Sequence, residues 1–305
     1  MGIKIILLII FFAVMAAVGI YSRRHVTSVD GFVLGGRSVG PWLTAFAYGT
    51  SYFSAVVFVG YAGQFGWKYG IASTWIGIGN ALIGSLLAWV VLGRRTKVMT
   101  QHLGSRTMPD FFGERYKSKS LKITASVIVF VFLIPYTASV YNGLSRLFAM
   151  AFNIPYTWCV VTMAAFTALY VILGGYMATA INDFIQGIIM LIGIVAVIAA
   201  VLNGQGGFMN AIAEMAKIPS DVPLTQGQPG AFTSFFGPDP VNLLGVVLLT
   251  SLGTWGLPQM IGKFYAIKDE KSISTGTIIS TIFAIIISGA VSYTHLRAHE
   301  TLSDL

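Results

Sequence analysis

The sequence consists of long apolar runs separated by shorter polar stretches. Eight of these runs carry almost no charge, and each is close to the ~20 residues that a helix needs to cross ~30 Å of hydrocarbon. The pattern therefore predicts eight membrane-spanning helices, at about residues 5–22, 41–66, 70–93, 123–152, 156–178, 184–203, 241–261 and 274–291.

Composition agrees with this pattern and excludes a water-soluble globule. Hydrophobic residues make up 55% of the 305 residues, charged residues only 10%, and the mean hydropathy is +0.77, whereas soluble domains carry about 25% charged residues. The apolar content excludes disorder, and a disulfide-built secreted fold is excluded because Cys159 is the only cysteine. We therefore expect an all-α membrane protein that is solvated largely by lipid.

The positions of the basic residues predict the direction of the helices. Lysine and arginine concentrate in cytoplasmic loops. With the N-terminus outside, the cytoplasmic loops hold fourteen lysines and arginines, and the N-terminus and outside loops, of which 204–240 is the longest, hold three. The net charge of +8 therefore needs no nucleic-acid partner, and we expect a cell-membrane protein with an outside N-terminus. The predicted cytoplasmic loops are 22–40, 93–122, 179–183 and 262–273.

The first apolar run has two interpretations, a secretory signal or a retained helix. A signal peptide carries its positive charge in front of the apolar core. Here only Lys4 precedes the core, and Arg23 and Arg24 follow it. The pattern favours a retained helix.

The end of the chain differs from the rest. Residues Ser292–Thr301 follow an apolar helix without a transition to charged residues, and they match the conceptual translation of a common sequencing-library transposon adapter. We therefore expect residues 292–305 to be an assembly artefact and residues 1–291 to be part of a longer transmembrane domain. A genuine polar tail is the alternative.

The second apolar run is interrupted by polar residues. Hydroxyl side chains and Gly49 crowd the stretch 44–54, and such groups are tolerated at membrane depth only inside the protein or beside a cavity. An unwound stretch here would offer backbone carbonyls to a small cation, beside the hydroxyls of Thr50, Ser51 and Ser54. The alternative is that small residues simply permit close helix packing.

The seventh run repeats the interruption, with Gly253, Gly256 and Pro258 in mid-span. Four intact segments separate the two interrupted ones, and the second crosses in the opposite sense to the first. Such a pair is typical of an inverted-repeat transporter whose site lies between broken helices. Pro258 as an ordinary kink is the alternative.

The remaining polar residues do not indicate an enzyme. Asp183 stands where the sixth segment is expected to begin, and a helix-start acid favoured by the dipole is a sufficient explanation. The sequence has no phosphate-binding glycine-rich loop followed by lysine. We therefore expect no catalytic residues and no cofactor.

Several motifs occur together in an order that is typical of one family. The chain resembles the sodium/solute symporters, which include the sodium-coupled proline and pantothenate transporters. The resemblance extends from about residue 28 to residue 291. Its motifs are Phe32–Pro41, Thr50–Ser54, Met108–Phe112, Arg115–Tyr116, Leu173–Ala178, Asn182–Gln186, Gly256–Pro258 and Tyr265.

The resemblance implies a ten-helix core of the five-plus-five inverted-repeat fold, preceded by one extra helix, with about eight helices in this chain. The second and seventh segments then become the first and sixth core helices, which are discontinuous. The implied sodium half-site consists of the backbone carbonyls of Thr50 and Phe53, to be completed by a core helix beyond residue 291. Coupling roles are implied for Arg37 and Asp183. The implied substrate-binding residues are Tyr52, Ser54, Tyr136, Thr254, Trp255 and Pro258.

The chain also departs from the proline branch, which has an aspartate at the position of Tyr52. Tyr52, Asn182–Asp183 and Gly256–Pro258 are more similar to the pantothenate branch. We expect sodium-coupled symport of a small organic solute such as proline or pantothenate into the cell, with sodium as coupling ion and no obligatory protein partner. A transporter-fold sensor and a proton-coupled symporter are the alternatives.

Overall fold

The computed structural model describes residues 2–53, 62–204 and 206–294, and most of them are helical. Within these ranges no β-strand occurs; Val39–Ile267 and Pro219–Pro229 form isolated bridges. The α-helices are α1 (Gly2–Ser22), α2 (Val29–Leu34), α3 (Pro41–Tyr52), α4 (Ala62–Tyr69), α5 (Thr74–Gly79), α6 (Arg94–His102), α7 (Met108–Tyr116), α8 (Lys119–Phe152), α9 (Tyr156–Gly204), α10 (Phe208–Lys217), α11 (Pro240–Leu252), α12 (Pro258–Ala266) and α13 (Glu270–Thr294).

Several helices have the length and composition of membrane spans. Five in the described ranges are long and apolar enough to cross a membrane, and six if Pro240–Gly256 and Pro258–Ala266 count as one interrupted span. α1, α8 and α13 coincide closely with predicted segments 5–22, 123–152 and 274–291. These segments are predominantly apolar between more polar ends, which is the pattern that hydropathy detects best.

α9 corrects the predicted boundary between the fifth and sixth segments. The predicted loop at 179–183 is helical, and the chain instead breaks at Gly175, with φ 56° and ψ −149°. At 1.5 Å per residue, 49 helical residues extend about 74 Å, enough for two membrane crossings. A Cβ on Gly175 would lie 2.8 Å from the carbonyl oxygen of Phe32, so both the conformation and the close contact require glycine.

The predicted third segment, 70–93, continues further than expected. The backbone is π-helical from Asn80 to Leu87 and again from Trp89 to Gly93, and the helix continues through α6 to His102. Lys97, expected in a cytoplasmic loop, is fully buried and donates a hydrogen bond to the carbonyl of Ile267. π-Helical stretches are rare in proteins, and those that occur are often found at functional sites.

The predicted interruption of the seventh segment is confirmed. α11 ends at Leu252, a 3₁₀ turn covers Gly253–Gly256, Leu257 is extended, and α12 begins at Pro258. Proline is favoured in this first helical position because its missing N–H would have no partner there. The expected cytoplasmic loop 262–273 is therefore partly helical, and it contains the end of α12 and the start of α13.

The second predicted segment contains the end of one helix and the start of another. α3 ends at Tyr52, and Phe53 lies in a turn. Residues 54–61, including the candidate Ser54, lie outside the described residues. The last four carbonyls of a helix have no partner within it.

Contacts divide the chain into two compact units. The first unit comprises residues 1–51, 90–187 and 258–276. α1 packs tightly on α9 there, since a Cβ on Gly19 would lie 3.1 Å from that of Tyr170. A small core cluster of this unit is formed by Val39, Met177, Ala180 and Ala266.

The second unit comprises residues 52–89, 188–257 and 277–305. Its helices also pack through small residues: the hydroxyls of Ser85 and Ser280 are 2.9 Å apart, which brings the π-helix against α13. Among its described residues, one core cluster is formed by Tyr69, Ala72, Ile76 and Leu243, and another by Val201, Ala211, Met215 and Phe232.

We expect Gly175→Ala to destabilise the fold by about 1–3 kcal/mol, because the conformation of Gly175 is essentially confined to glycine. The matched control is Gly193→Ala in the same helix, where a Cβ meets nothing within 4 Å and should be neutral or stabilising by about 0.5–1 kcal/mol. Thermal unfolding of both variants in detergent measures the difference. Equal stability of the two variants would contradict the assigned break.

Candidate functional site

A cluster of polar side chains in the second unit surrounds Asn80, the first residue of the π-helix. Its side-chain oxygen Oδ1 lies 3.1 Å from the Tyr52 hydroxyl, 2.9 Å from the Thr250 hydroxyl and 3.1 Å from the Ser251 hydroxyl. Asn80, Tyr52 and Ser251 are buried. We call these four residues the Asn80 cluster.

Two of the three hydroxyls of the Asn80 cluster have alternative acceptors. The Tyr52 hydroxyl is also 2.9 Å from the carbonyl of Thr250, and the Thr250 hydroxyl is 2.9 Å from the carbonyl of Val246. A hydroxyl carries one proton, and an amide oxygen accepts about two hydrogen bonds. The cluster therefore has more acceptor capacity than hydroxyl protons, so a polar ligand can accept a bond from one hydroxyl while Asn80 Oδ1 keeps its bonds from the others.

Glycine makes room for Tyr52 beside the π-helix. A Cβ on Gly84 would lie 2.0 Å from the Tyr52 hydroxyl oxygen, so any larger residue would displace the ring. Tyr52 is 6% exposed, and its ring packs on Phe53 with centroids 4.9 Å apart. The tyrosine is therefore held by shape as well as by hydrogen bonds.

The 3₁₀ turn after α11 brings two further candidates to the same π-helix. The indole Nε1 of Trp255 donates to the carbonyl of Ile83 at 3.1 Å, and the Thr254 hydroxyl donates to the carbonyl of Ser251 at 3.0 Å. Both side chains are half-buried. Three of the six predicted substrate residues, Tyr52, Thr254 and Trp255, thus belong to one unit, and Pro258 belongs to the other.

The first unit contains an ion pair between α9 and α12. The Lys263 ammonium nitrogen lies 3.2 Å from Oδ2 of Asp183, and the two side chains are 9% and 23% exposed. The same nitrogen lies 5.5 Å from the ring centroid of Tyr176, within reach of a cation–π interaction. Asp183 follows the Gly175 break by two helical turns, so its expected place at a helix start is wrong.

Polar groups without partners accompany this pair. Asn182 is 1% exposed, and neither atom of its amide group has a hydrogen-bond partner among the described residues. The same holds for the Tyr176 hydroxyl and for the buried amide atoms of Gln259, one turn before Lys263. Buried polar groups are normally hydrogen-bonded, so a partner such as water is expected at these atoms.

Arg37 connects two segments of the first unit. It follows Gly35 and Gly36, and all three residues have positive φ. Its Nη2 donates to the carbonyl of Ser105 at 2.6 Å and to that of Thr100 at 3.4 Å. Burial lowers the pKa of the guanidinium, although the nearby Asp30 carboxylate raises it; the group stays charged because arginine titrates above about pH 12.

The remaining candidates lie apart from these contacts. Thr50 is in the last turn of α3, where its hydroxyl donates to the carbonyl of Phe46 at 2.9 Å, and Phe53 is 3% exposed. Tyr136 is half-buried on α8, next to Pro135, and belongs to neither cluster of described residues. The roles of Thr50, Phe53 and Tyr136 stay predictions.

The sequence pattern missed two residues at the centre of these contacts. Asn80 lies within an apolar run, and the only sequence feature that indicated a role for it was its being a single amide in a span without charge. Lys263 was expected among the cytoplasmic loop charges, although it stands in the apolar stretch 260–267. A basic residue inside such a stretch is itself a signal of an internal partner.

Comparisons with known proteins agree with this architecture. The model of the sodium:solute symporter family matches residues 32–301. Two sodium/proline symporters of Staphylococcus aureus, from strains JH9 and NCTC 8325 / PS 47, are each 33% identical over 276 residues, which cover 88% of this chain and 51% of the relative. The chain thus spans about half the length of the curated relatives it matches.

A solved structure of a Na+-coupled sialic acid symporter, in a substrate-bound outward-open state, shares the fold. The TM-score is 0.73 at 17% identity, and the match covers 97% of this chain and 60% of that one. The expected all-α transporter fold is confirmed, and the matched relatives are transporters rather than enzymes. The family match extends to residue 301 and thus includes the stretch 292–301; the adapter origin of that stretch stays a prediction.

We expect Asn80→Leu to destabilise the protein by about 1 kcal/mol, because it removes the shared acceptor of three hydroxyls, two of which, those of Tyr52 and Thr250, retain a backbone acceptor. The control, Asn203→Leu at an exposed position of α9, should change stability by less than about 0.5 kcal/mol. Tyr52→Phe should cost less in the Asn80→Leu background than alone. Thermal unfolding of the unaltered protein, the three single variants and the double variant measures both effects, and strictly additive costs would contradict the Asn80–Tyr52 bond.

Proposed function

The chain belongs to the sodium:solute symporter family, and we propose that the protein couples inward sodium flow to the uptake of a small organic solute by alternating access. The family match over residues 32–301 is the observation that carries this proposal. Its physical basis is differential binding: sodium stabilises the conformation that binds the solute better, so that the two bind together.

The proposed sodium half-site consists of the backbone carbonyls of Thr50 and Phe53. The position of Thr50 in the last turn of α3 supports it, because carbonyls there lack helical partners and carry the negative end of the helix dipole. Ser54, which lies outside the described residues, is proposed as a substrate contact. Carbonyl oxygen is a suitable ligand for a hard cation.

The proposed solute contacts are Tyr52, Thr254, Trp255 and Pro258, together with Tyr136. The Asn80 cluster supports the role of Tyr52, because the Tyr52 hydroxyl lies within hydrogen-bond distance of two acceptors, Asn80 Oδ1 and the carbonyl of Thr250. It can therefore turn from one partner to another at little cost. Neutral donors of this kind suit a carboxylate, amide or hydroxyl on the solute. Proline is one candidate, since the Staphylococcus aureus relatives are sodium/proline symporters, and pantothenate is another, given Tyr52 in place of an aspartate.

Arg37 and Asp183 are proposed as coupling residues. Asp183 supplies a carboxylate inside a long apolar helix, and charged side chains at such positions mark ion pathways in membrane proteins. Arg37 ties the segment before α3 to the carbonyls of Thr100 and Ser105. A change in that contact would alter the position of the segment that leads into α3.

Sodium coupling is tested with the full-length protein in proteoliposomes. A tenfold sodium gradient is worth about 1.4 kcal/mol per ion, so a transported solute should accumulate about tenfold for each coupled ion. Labelled proline and pantothenate are the first solutes, and an equal potassium gradient is the control. Accumulation that follows a pH gradient instead would indicate proton coupling, and solute binding without accumulation would indicate a sensor; either result contradicts the proposal.

We further propose a cell-membrane location with the N-terminus outside. In a Cys159→Ser background, Gln226→Cys should react with an impermeant maleimide on intact cells, because residue 226 lies in the proposed outside loop. Gln101→Cys, at an exposed position near the basic loop, should react only after permeabilisation. The opposite pattern would reverse the proposed orientation.

A further inference from the structure

The ion pair between Lys263 and Asp183 lies in a strongly apolar setting. Lys263 is flanked on α12 by the buried residues Met260, Ile261 and Phe264, and its side chain is only 9% exposed. Removing one partner of a buried pair leaves an uncompensated charge, which is strongly unfavourable. Whatever binds to the Asp183 carboxylate in this place must therefore compensate its charge as well as the ammonium does.

The surroundings of the pair offer oxygen ligands that the lysine does not use. The Asn182 amide oxygen and the Tyr176 hydroxyl are buried without a hydrogen-bond partner among the described residues. Asn182 adjoins Asp183 in the helix, and the Tyr176 ring lies 5.5 Å from the Lys263 nitrogen. A carboxylate, an amide oxygen and a hydroxyl are ligands for a hard cation, and the Lys263 ammonium occupies the position beside the carboxylate.

We propose that Lys263 is a tethered competitor of the coupling cation at Asp183. The proposal rests on the proposed sodium-coupled function and adds a positioning residue to it. While the ammonium neutralises Asp183, sodium is excluded; when sodium binds the carboxylate, Lys263 is released and the contact between α9 and α12 opens. Cation arrival is thereby linked to a change in how α12 is held.

The competition is tested by labelling Asp183 with dicyclohexylcarbodiimide, which adds to a protonated carboxyl group and leaves an N-acylurea detectable by peptide mass spectrometry. An unpaired buried carboxylate is neutralised by a proton. We therefore expect Asp183 to be labelled faster in Lys263→Met than in the unaltered protein. We also expect sodium to protect Asp183 in Lys263→Met at a concentration about tenfold lower than in the unaltered protein, because couplings between two ligands are typically of this size. Choline keeps the ionic strength constant, and Asp183→Asn gives the background.

The controls separate competition from a structural role. Lys263→Arg keeps the positive charge and should behave like the unaltered protein. Lys268→Met removes a half-exposed lysine 3.9 Å from Asp269 and should change neither rate nor midpoint. An equal sodium midpoint in Lys263→Met and the unaltered protein would overturn the proposal and leave sodium coupling intact. Absence of sodium protection in every protein would instead contradict a sodium role for Asp183, and the competition with it.

A second measurement needs no variant and covers the case in which Lys263→Met does not fold. In the unaltered protein, sodium should increase the acylation of Lys263 by an amine-reactive ester, with the midpoint at which it protects Asp183. Peptide mass spectrometry reads both sites in one sample. If sodium protects Asp183 while Lys263 reactivity stays constant, the lysine is not displaced and the proposal is wrong.

Discussion

The structure depends on the requirement that a polar group at membrane depth must find its partner inside the protein. The interruption of the seventh predicted segment satisfies this requirement locally. After Leu252, a 3₁₀ turn keeps the backbone bonded, and the Thr254 hydroxyl donates to the carbonyl of Ser251. The Trp255 indole donates to the carbonyl of Ile83 in the π-helix. Irregular backbone and polar side chains therefore occur together, because each supplies what the other lacks.

The same requirement determines how much of the fold the sequence predicts. α1, α8 and α13 are predominantly apolar segments with more polar ends, and averaging hydropathy finds them. The break at Gly175 was placed some residues too late, because it is a single backbone conformation inside an unbroken apolar run. Glycine permits that conformation, but many glycines in this chain lie in ordinary helix. The decisive contact, the carbonyl of Phe32, is distant in sequence.

The candidate site is predictable only where the signal is local. Gly253, Gly256 and Pro258 interrupt their own segment, and the interruption was expected from them. Asn80 and Lys263 have their partners 28 to 171 residues away, so periodicity contains no information on them. Lys263 was assigned to a loop because the positive-inside rule counts every basic residue near the end of an apolar run as a loop residue. That count does not distinguish a solvated lysine from one paired with a buried carboxylate.

The two clusters, each taken within its own unit, share one electrostatic property. The Asn80 cluster consists of neutral donors and acceptors, and the Asp183–Lys263 pair has no net charge. A neutral site in an apolar setting avoids the desolvation cost of an isolated ion. It also means that an arriving cation adds a full charge unless a protein charge moves away. The tethered ammonium of Lys263 is the group whose departure from Asp183 would keep the net charge of that pair unchanged. In the other unit, an aspartate at position 52, as in the proline branch, would add a negative charge to the otherwise neutral Asn80 cluster.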